Sequence, residues 1–578
     1  MKPTSFLIIL GSHKKDRSGT YSVYSDEHCS LFIRKKNDNH IQFTCDEEGF
    51  TVYLGEKTKI PFSNNNEERP GQGTLVKYHK TSGELVVESD RLGTAILYYG
   101  RAQNDSLEIS NRLDNLELDG KQINWPSIQQ YLNTGYTIGS NTFFLSVEQT
   151  RPNEKLVACS ADSFQISRTL IDTPSSLNDY TVDQLVDLLS ERLSSTLDER
   201  SSSVLMMSAG WDSRTLLMAG PEHYHSAYTH GDLSSREISI SHRLTSDLRM
   251  DHMFSDIQNL ELSGDLLDTM LEELGFCIFP VWYIAGQRAQ EIYNSPLSSG
   301  VLGELLGGHY GLLSMGSRLQ KVLAAASLLP GKLIPDDQFS TALERFTTPA
   351  ANHWFLSEEG HNLLSSHAET TKTMMRNRLN TAYGDTGDWQ SAIETFNMEH
   401  RARQYIFKQA LAASSTSGYI APFADDTLAD MVRLIPFDNR VHNKLNKKIL
   451  KETNPKLLDY SMAATLVPAK YPILFQELSR GVRILLENGR KILGKSQPRL
   501  GWFNYEHLYK TKILQEIIES LSLDLWDKQK MRTTIETNPT NGIDAGSTLD
   551  MLCKLKTIDY YLKNNREDLI DVQENKGS

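Results

Sequence analysis

The sequence contains few cysteines and no pair of them with metal-binding or redox spacing. The five cysteines are scattered over 578 residues, without a CxxC motif or a cluster with histidine. A disulfide framework, a zinc ribbon and a thioredoxin-type centre are therefore not predicted. Positively charged residues are fewer than negatively charged ones, since 60 Lys+Arg stand against 73 Asp+Glu and the net charge is −13. This balance argues against a surface that binds nucleic acid over the whole molecule, and leaves only a local basic groove open.

Long apolar runs are missing as well. No stretch approaches the roughly 20 apolar residues that span a bilayer, and the longest run, Val322 to Leu329, has the length of a core helix. Phe6 to Leu10 is too short for the core of a signal peptide and is predicted to be a first strand. We therefore expect a cytoplasmic protein without membrane or nucleic-acid partners. The length predicts two or three domains.

The pattern of apolar residues changes along the chain. Residues 1–150 contain short segments that mix β-branched and aromatic residues, as strands do, with turn clusters between them. The predicted strands are Phe6–Leu10, Cys29–Arg34, Thr51–Leu54, Gly73–His79, Glu84–Glu88 and Thr94–Tyr99. From about 175 helical spacing appears, first in Thr181–Leu197 with Thr181 as N-cap. Strands and helices then alternate to about 310, which predicts a parallel sheet with crossover helices, and the remainder is predicted to be mostly helical.

The most informative segment is SSVLMMSAGWDSR, residues 202–214. A buried strand runs into a turn of small residues, Ser208, Ala209 and Gly210, and a helix is predicted to begin near Ser213. Unpaired amides at such a helix start favour a phosphate, the two serine hydroxyls add donors, and Asp212 can hold Mg²⁺. The missing Gly-Lys-Ser/Thr ending distinguishes the turn from a Walker loop. A serine-rich connection without any ligand is the alternative.

This segment resembles the SGGxDS pyrophosphate loop of the N-type ATP pyrophosphatases, with Ala209 in place of the middle glycine. Two later segments resemble the asparagine synthetase family. AYTHGDLSSRE (227–237) is similar to its second strand and following helix, and SSGVLGELLGGHY (298–310) is similar to its SGxGxDE loop. In that loop Ser299 and Gly300 align, Leu302 replaces the second glycine, and Glu304 stands at the second metal-binding aspartate.

Further segments follow in the order of that family. SGYIAPFADD (417–426) resembles its R-x-PFLD segment, and Lys470 in VPAKYP lies where these enzymes carry a lysine near the transferred phosphate. GELVVESDRLGTAILYY (83–99) and LEISNRLDNL (107–116) resemble the family's glutamine amidotransferase domain. The resemblance spans about residues 75–475.

The resemblance implies an α/β protein in three parts. Residues 1–170 would form an αββα sandwich of the N-terminal nucleophile (Ntn) type, and residues 175–475 a parallel-sheet α/β ATP pyrophosphatase domain. Residues 476–578 would add a helical C-terminal region. Glutamine-dependent members begin with a cysteine nucleophile, whereas here Met1 is followed by Lys2, Pro3 and Thr4. We therefore expect a degenerate amidotransferase domain, as in the β-lactam synthetases and lasso-peptide cyclases of this family.

The function implied is an ATP-dependent amide-forming ligase. The pyrophosphate of ATP would lie on the loop from Ser208 to Ser213, with adenine near Met206 and His230, and with Mg²⁺ on Asp212 and Glu304. A small-molecule or peptide carboxylate would attack the α-phosphorus, and a nitrogen nucleophile would then take the acyl group. The nitrogen could come from free ammonia, from a separate partner, or from an amine of the same substrate.

The remaining site residues have open alternatives. Lys470 would stabilise developing charge on the phosphate, or is a solvated lysine at a helix end. His309 is a candidate base by its chemistry, or a structural loop histidine. Tyr310 and Glu304 are candidates for the Tyr/Glu pair that deprotonates the amine in β-lactam-forming members. Two other functions stay open: another enzyme with the same loop, such as a tRNA-modifying one, and a non-catalytic binding or scaffold protein. The sequence leaves the oligomeric state open.

Overall fold

The structure is a computed structural model of the chain. It describes residues 5–11, 21–34, 41–56, 72–102, 105–118, 120–159, 164–168, 180–200, 202–256, 262–311, 338–347, 353–414, 418–492, 505–541 and 545–563. The apolar run at Val322 to Leu329, which the sequence predicts to be a core helix, lies outside these residues.

The first part of the chain forms two antiparallel sheets of six strands each. Their strands are β1 (Ser5–Leu10), β2 (Tyr21–Ser25), β3 (Cys29–Arg34), β4 (Ile41–Asp46), β5 (Gly49–Gly55), β6 (Gly73–His79), β7 (Glu84–Glu88), β8 (Tyr98–Arg101), β9 (Leu107–Ser110), β10 (Val147–Gln149), β11 (Glu154–Ala158) and β12 (Phe164–Arg168). The first sheet has the order β10-β8-β9-β1-β3-β2, and the second has the order β12-β11-β7-β6-β5-β4.

The two sheets share one hydrophobic core. Alternate residues of β1 point to opposite faces, as the pleat of a strand requires. Ile8 packs with residues of the second sheet such as Val52, whereas Leu7 packs with Ile128 of helix α1 (Trp125–Thr134). The sheets therefore stack face to face, and helices cover the outer face of the first one.

One predicted strand is shifted. Residues 94–97, the start of the predicted strand Thr94–Tyr99, are not in a strand, and β8 begins at Tyr98. The cause is Asp90, whose buried carboxylate accepts the backbone amide of Leu92 at 3.0 Å and the hydroxyl of Thr94 at 2.9 Å. These bonds give the backbone an alternative to the ladder of a sheet. The predicted bounds of β3, β6 and β7 are confirmed.

A third sheet is parallel. It is built from β13 (Ser203–Met206), β14 (Tyr224–Gly231), β15 (His252–Asp256), β16 (Leu297–Ser298) and β17 (Tyr419–Ile420). The order is β15-β14-β13-β16-β17, and every neighbouring pair is parallel. The prediction of a mixed α/β chain with a parallel sheet is confirmed. The fifth strand lies in the part of the sequence that is predicted to be mostly helical. The sequence does not predict this strand, because two residues are too few to produce an alternating pattern.

Helices connect and surround the parallel sheet. They are α2 (Val182–Glu199), α3 (Trp211–Leu216), α4 (Arg236–Asp247), α5 (Gly264–Leu274), α6 (Pro280–Tyr293), α7 (Gln338–Thr347), α8 (Glu358–Ser366), α9 (Ala368–Thr386), α10 (Trp389–Asn397), α11 (Lys408–Ala413), α12 (Asp426–Leu434), α13 (Phe437–Arg440), α14 (Lys444–Thr453), α15 (Ile473–Ile492), α16 (Ile513–Ser520), α17 (Lys528–Asn541) and α18 (Ala545–Leu562), with a π-helix at Met398–Ile406. The predicted N-cap of α2 is confirmed, since the hydroxyl of Thr181 accepts the amide of Gln184 at 3.3 Å.

The C-terminal helices return to the first antiparallel sheet. Leu552 and Ile558 of α18 belong to the same buried cluster as Leu7 of β1 and Ile128 of α1. The last part of the chain therefore covers the outer face of that sheet. Within the described ranges, no helix combines the length and the apolar content that a bilayer crossing requires.

A buried ion pair joins the antiparallel and the parallel parts. Arg200, between α2 and β13, donates to the carboxylate of Glu56, which follows β5, and their side chains are 4% and 1% exposed. Glu56 also accepts the backbone amide of Ala421, directly after β17, at 3.3 Å. Burial raises the pKa of Glu56, and the Arg200 guanidinium opposes that shift. One carboxylate therefore holds three separate chain segments together.

Replacement of Arg200 by methionine is expected to destabilise the protein by about 3 kcal/mol or more, because Glu56 would stay buried without its cation. Urea unfolding at neutral pH measures this loss. Lys155→Met is the matched control, since Lys155 pairs with Glu88 at 2.8 Å on the surface, and exposed pairs contribute about 0–1 kcal/mol. Equal losses in the two variants would contradict the structural role of the buried pair.

Candidate functional site

Two acidic side chains meet at the carboxyl edge of the parallel sheet. Asp212 lies in α3, just after the turn that follows β13, and Glu304 lies in the loop that follows β16. A Cβ atom added to Gly300 would come within 2.7 Å of the Asp212 Cβ, and one added to Gly303 within 2.6 Å of the Asp212 Cγ. The β16 loop therefore packs directly on Asp212, and only glycine permits that approach at either position.

The two carboxylates repel each other. Burial, followed by the negative charge of Glu304, raises the pKa of Asp212 from 3.8 to about 7. Within the described ranges, no lysine or arginine forms an ion pair with either residue. Glu304 accepts a hydrogen bond from the Tyr310 hydroxyl at 2.6 Å. Two half-buried carboxylates without a cation form an arrangement that binding of a cation would stabilise.

The turn after β13 is held by its own serines. The hydroxyls of Ser208 and Ser213 lie 3.0 Å apart, and Ser208 Oγ accepts the Gly210 amide at 3.0 Å. Helix α3 begins at Trp211, two residues earlier than predicted, and has six residues. Ala209 is not among the residues with positive φ, so its side chain causes no backbone strain at the position where the resembling loop has glycine.

Two residues that sequence reasoning missed hold this turn from outside. Glu237, in the first turn of α4, accepts the Ala209 amide at 2.8 Å. A carboxylate therefore already occupies a donor that an anionic ligand could use. Its signal in the sequence was weak, since an acidic residue in the first turn of a helix is common for electrostatic reasons alone.

The second missed residue is Arg214, which is fully buried. Its guanidinium donates to the carbonyl of Ala209 at 3.1 Å, of Tyr460 at 2.9 Å and of Ser461 at 2.5 Å. Burial lowers the pKa of Arg214 to about 10, so it remains a cation at neutral pH. The sequence held a weak signal for this, because the apolar Leu217 stands three residues on, at a spacing that shares a face of a helix.

Lys470 lies on the segment that Arg214 anchors. Its backbone amide donates to the Leu458 carbonyl at 3.0 Å. The side chain is 53% exposed, and its ammonium forms an ion pair with Asp459 at 2.8 Å; this pair raises the pKa of Lys470. The structure thus places the backbone of Lys470 beside the segment fixed to the turn, while its side chain contacts Asp459.

Of the predicted nucleotide-contacting residues, Met206, His230 and Ser299 are buried at the sheet. Met206 packs its side chain against Tyr228 and Ala285 in a small core, so only its backbone can face a ligand. Burial lowers the pKa of His230 to about 3, which keeps its ring neutral. Ser299 is 2% exposed, and its hydroxyl has no hydrogen-bond partner among the described residues. A buried hydroxyl of this kind is costly unless a ligand or water satisfies it.

The rest of the β16 loop separates the two candidate base residues. His309 is exposed, with its ring 3.4 Å from the Asn443 amide nitrogen. Tyr310 is fully buried, and burial together with the nearby Glu304 raises the pKa of its hydroxyl well above the usual value. Leu302, which replaces a glycine of the resembling loop, adopts φ +71°, a conformation that costs about 1–2 kcal/mol for a residue with a side chain.

Groups of three or more histidine, cysteine or acidic residues able to hold a metal ion are not found in the part of the chain that the structure describes. Asp212 and Glu304 are two ligands, and a cation bound there would complete its coordination with water or substrate oxygens.

Comparison with protein-family models and with curated proteins finds no match to this chain. The interpretation of the site therefore rests on the geometry described above and on the resemblance of the motifs.

Replacement of Asp212 by asparagine is expected to stabilise the protein at pH 8. The raised pKa means that folded Asp212 retains a proton that the unfolded chain releases between about pH 4 and pH 7. Folding stability from this residue therefore falls as pH rises through that window, by at most about 1.4 kcal/mol per pH unit. We expect Asp212→Asn to gain about 1–2 kcal/mol at pH 8 and to lose most of this advantage at pH 5.

Urea unfolding at the two pH values measures the effect. Asp385→Asn is the control, because Asp385 is exposed on α9. A stability difference between Asp212→Asn and wild type that is the same at pH 5 and pH 8 would show that Asp212 is not destabilised by its surroundings.

Proposed function

We propose that the protein is an ATP-dependent carbon–nitrogen ligase of the asparagine synthetase type. The observation that carries this proposal is the meeting of Asp212 and Glu304 at the carboxyl edge of the parallel sheet, across the close contact at Gly300 and Gly303. Ligands of open α/β sheets bind outside the carboxyl ends of the strands. The motifs that resemble the family follow β13, β14, β16 and β17 and therefore converge on that edge.

The residues present fit a magnesium–nucleotide ligand. Asp212 and Glu304 supply the hard oxygen ligands that Mg²⁺ prefers, and such sites leave several positions to water and phosphate. Bound there, Mg²⁺ would neutralise charge on the pyrophosphate part of ATP. The unsatisfied Ser299 hydroxyl offers a further donor, and Ser208 and Ser213 line the preceding turn.

The reaction proposed begins with attack of a substrate carboxylate oxygen on the α-phosphorus of ATP. An acyl–adenylate forms and pyrophosphate leaves. A nitrogen nucleophile then attacks the acyl carbon, AMP leaves with the electron pair of the broken C–O bond, and the nitrogen gives up a proton. His309 is exposed and able to accept this proton, whereas Tyr310 is buried and its hydroxyl donates a hydrogen bond to Glu304. Lys470 would stabilise the developing negative charge once released from Asp459.

The N-terminal part supports a ligase without its own glutaminase. Its first cysteine, Cys29, is 1% exposed in β3, and burial raises the pKa of its thiol. A buried neutral thiol is a poor nucleophile. The nitrogen would therefore come from ammonia, from a separate donor, or from an amine of the carboxylate substrate itself, which would close a ring. The two stacked antiparallel sheets support a retained amidotransferase-like scaffold of the Ntn type, and a cytoplasmic location remains our prediction.

A second candidate is a non-catalytic nucleotide-binding descendant of the same family. The contact of Glu237 with the Ala209 amide favours it, because a phosphate binding at this amide would have to displace the carboxylate. The ion pair between Lys470 and Asp459 points the same way, since it holds the proposed charge-stabilising group.

Calorimetry with Mg²⁺ and ATP tests the nucleotide site. Wild type is expected to bind, and Asp212→Asn and Glu304→Gln to bind at least tenfold more weakly, since each variant removes one of two charged ligands. EDTA should weaken binding to wild type by a similar factor, and Asp385→Asn should leave it unchanged. No binding of Mg²⁺–ATP to wild type at millimolar concentration would contradict both candidate functions.

Pyrophosphate release separates the two candidates. A panel of amino-acid and peptide carboxylates, each with and without ammonium, is incubated with Mg²⁺, ATP and the full chain. Release that depends on one carboxylate, and that Lys470→Met reduces at least tenfold, supports the ligase. Nucleotide binding without release from any carboxylate supports the non-catalytic descendant.

A further inference from the structure

A cavity lies away from the carboxyl edge of the parallel sheet. It is partly open to solvent and has a cavity volume of about 50 Å³, so only part of a small ligand would be enclosed. It opens between the first antiparallel sheet, α1, the π-helix and α18. Aromatic and uncharged polar side chains share its walls. The principal lining residues are Tyr98, Tyr131, Tyr136, Phe143, Lys408 and Tyr561. None of the candidate-site residues lines it.

Lys408 is the only charged residue among the described ones that line the cavity. Its ammonium lies 5.0 Å from the centre of the Phe276 ring and 5.6 Å from that of Tyr131. In the described part of the chain no carboxylate pairs with it. Ring faces attract a cation, but they replace only part of the hydration that an enclosed ammonium loses. Burial accordingly lowers the pKa of Lys408 to about 8.

Nearby acidic groups are bound to other bases. Asp550 pairs with Lys554 at 2.7 Å and accepts the Tyr405 hydroxyl at 2.9 Å. Asp114 accepts the Arg112 guanidinium at 2.8 Å. Neither of these two carboxylates is therefore a spare negative charge for Lys408. A negative charge supplied from outside would give the ammonium the partner that these residues do not provide.

The loop after α1 forms another part of the cavity wall and is preformed. Gln404 accepts the Thr137 amide at 3.1 Å and donates to the Thr137 carbonyl at 3.0 Å. Gln149 donates to the Asn141 carbonyl at 3.2 Å. These bonds fix the loop after α1 before any ligand arrives, so binding would not have to order it.

We propose that this cavity binds a small organic monocarboxylate with an aromatic or apolar body, its carboxylate paired with Lys408. One cation matches one negative charge, which favours a monocarboxylate over a polyphosphate. The tyrosine and phenylalanine rings provide the apolar contact area for the body of the ligand. The residues used are distinct from those of the proposed nucleotide site, and the inference does not depend on the proposed ligase activity.

Benzoate is the probe, and benzamide, its neutral analogue of nearly the same shape, is the matched control. Calorimetry or saturation-transfer NMR on the full chain at pH 7 compares the two. Benzoate is expected to bind at least tenfold more tightly than benzamide, and inorganic phosphate to bind more weakly than benzoate. Equal binding of benzoate and benzamide, or no binding of benzoate at 10 mM, would overturn the proposal. This comparison uses wild type alone and needs no variant to fold.

Variants then locate the site. Lys408→Met is expected to reduce benzoate affinity at least tenfold and to leave Mg²⁺–ATP binding unchanged. Lys456→Met, at an exposed lysine, should change neither. Asp212→Asn should leave benzoate binding intact, and its loss in that variant would place benzoate at the candidate functional site and refute a second one. Retention of full affinity in Lys408→Met would likewise refute the assigned cavity.

Discussion

The arrangement of the candidate site depends on one buried guanidinium. Arg214 donates to Ala209 in the turn after β13 and to the carbonyls of Tyr460 and Ser461, more than 240 positions away along the chain. Its charge survives burial because several carbonyl dipoles replace its hydration. The segment that carries Lys470 is thereby fixed beside the turn that carries Asp212. The buried cluster that joins Met207 to Leu457 and Leu458 supports the same arrangement.

The two carboxylates at this site, in contrast to Arg214, lie in surroundings that disfavour their charge. Asp212 and Glu304 are held together although their charges repel, and the neighbouring Leu302 keeps a left-handed backbone. The Glu56–Arg200 pair shows that the same chain can match a buried carboxylate with a cation where only stability is at stake. Charge repulsion and backbone strain that occur together at the edge of a sheet are typical of binding sites, where a ligand supplies the favourable interaction that the protein lacks.

Local signals in the sequence predicted local structure well. The N-cap at Thr181, the bounds of β3, β6 and β7, and the strand and turn around Ser208 depend on neighbouring residues, and each is confirmed. The shifted start of β8 and the two-residue β17 depend on tertiary contacts instead. The apolar residues of α18 predict that this helix is buried, but they do not predict that it packs on β1. Glu237 was missed because its partner is a backbone amide 28 positions earlier.

The two proposed binding sites differ in how visible they were to sequence reasoning. Asp212 stands in a motif whose spacing points to phosphate chemistry, so a cation site could be predicted before the fold was known. Lys408 stands in FKQALAA, an ordinary helical stretch in which a lysine is usually solvated. Only the fold encloses it, by bringing Phe276 and Tyr131 over its ammonium. In a chain of net charge −13, a lysine that lies against two aromatic rings and pairs with no carboxylate of the described residues is the less expected of the two sites.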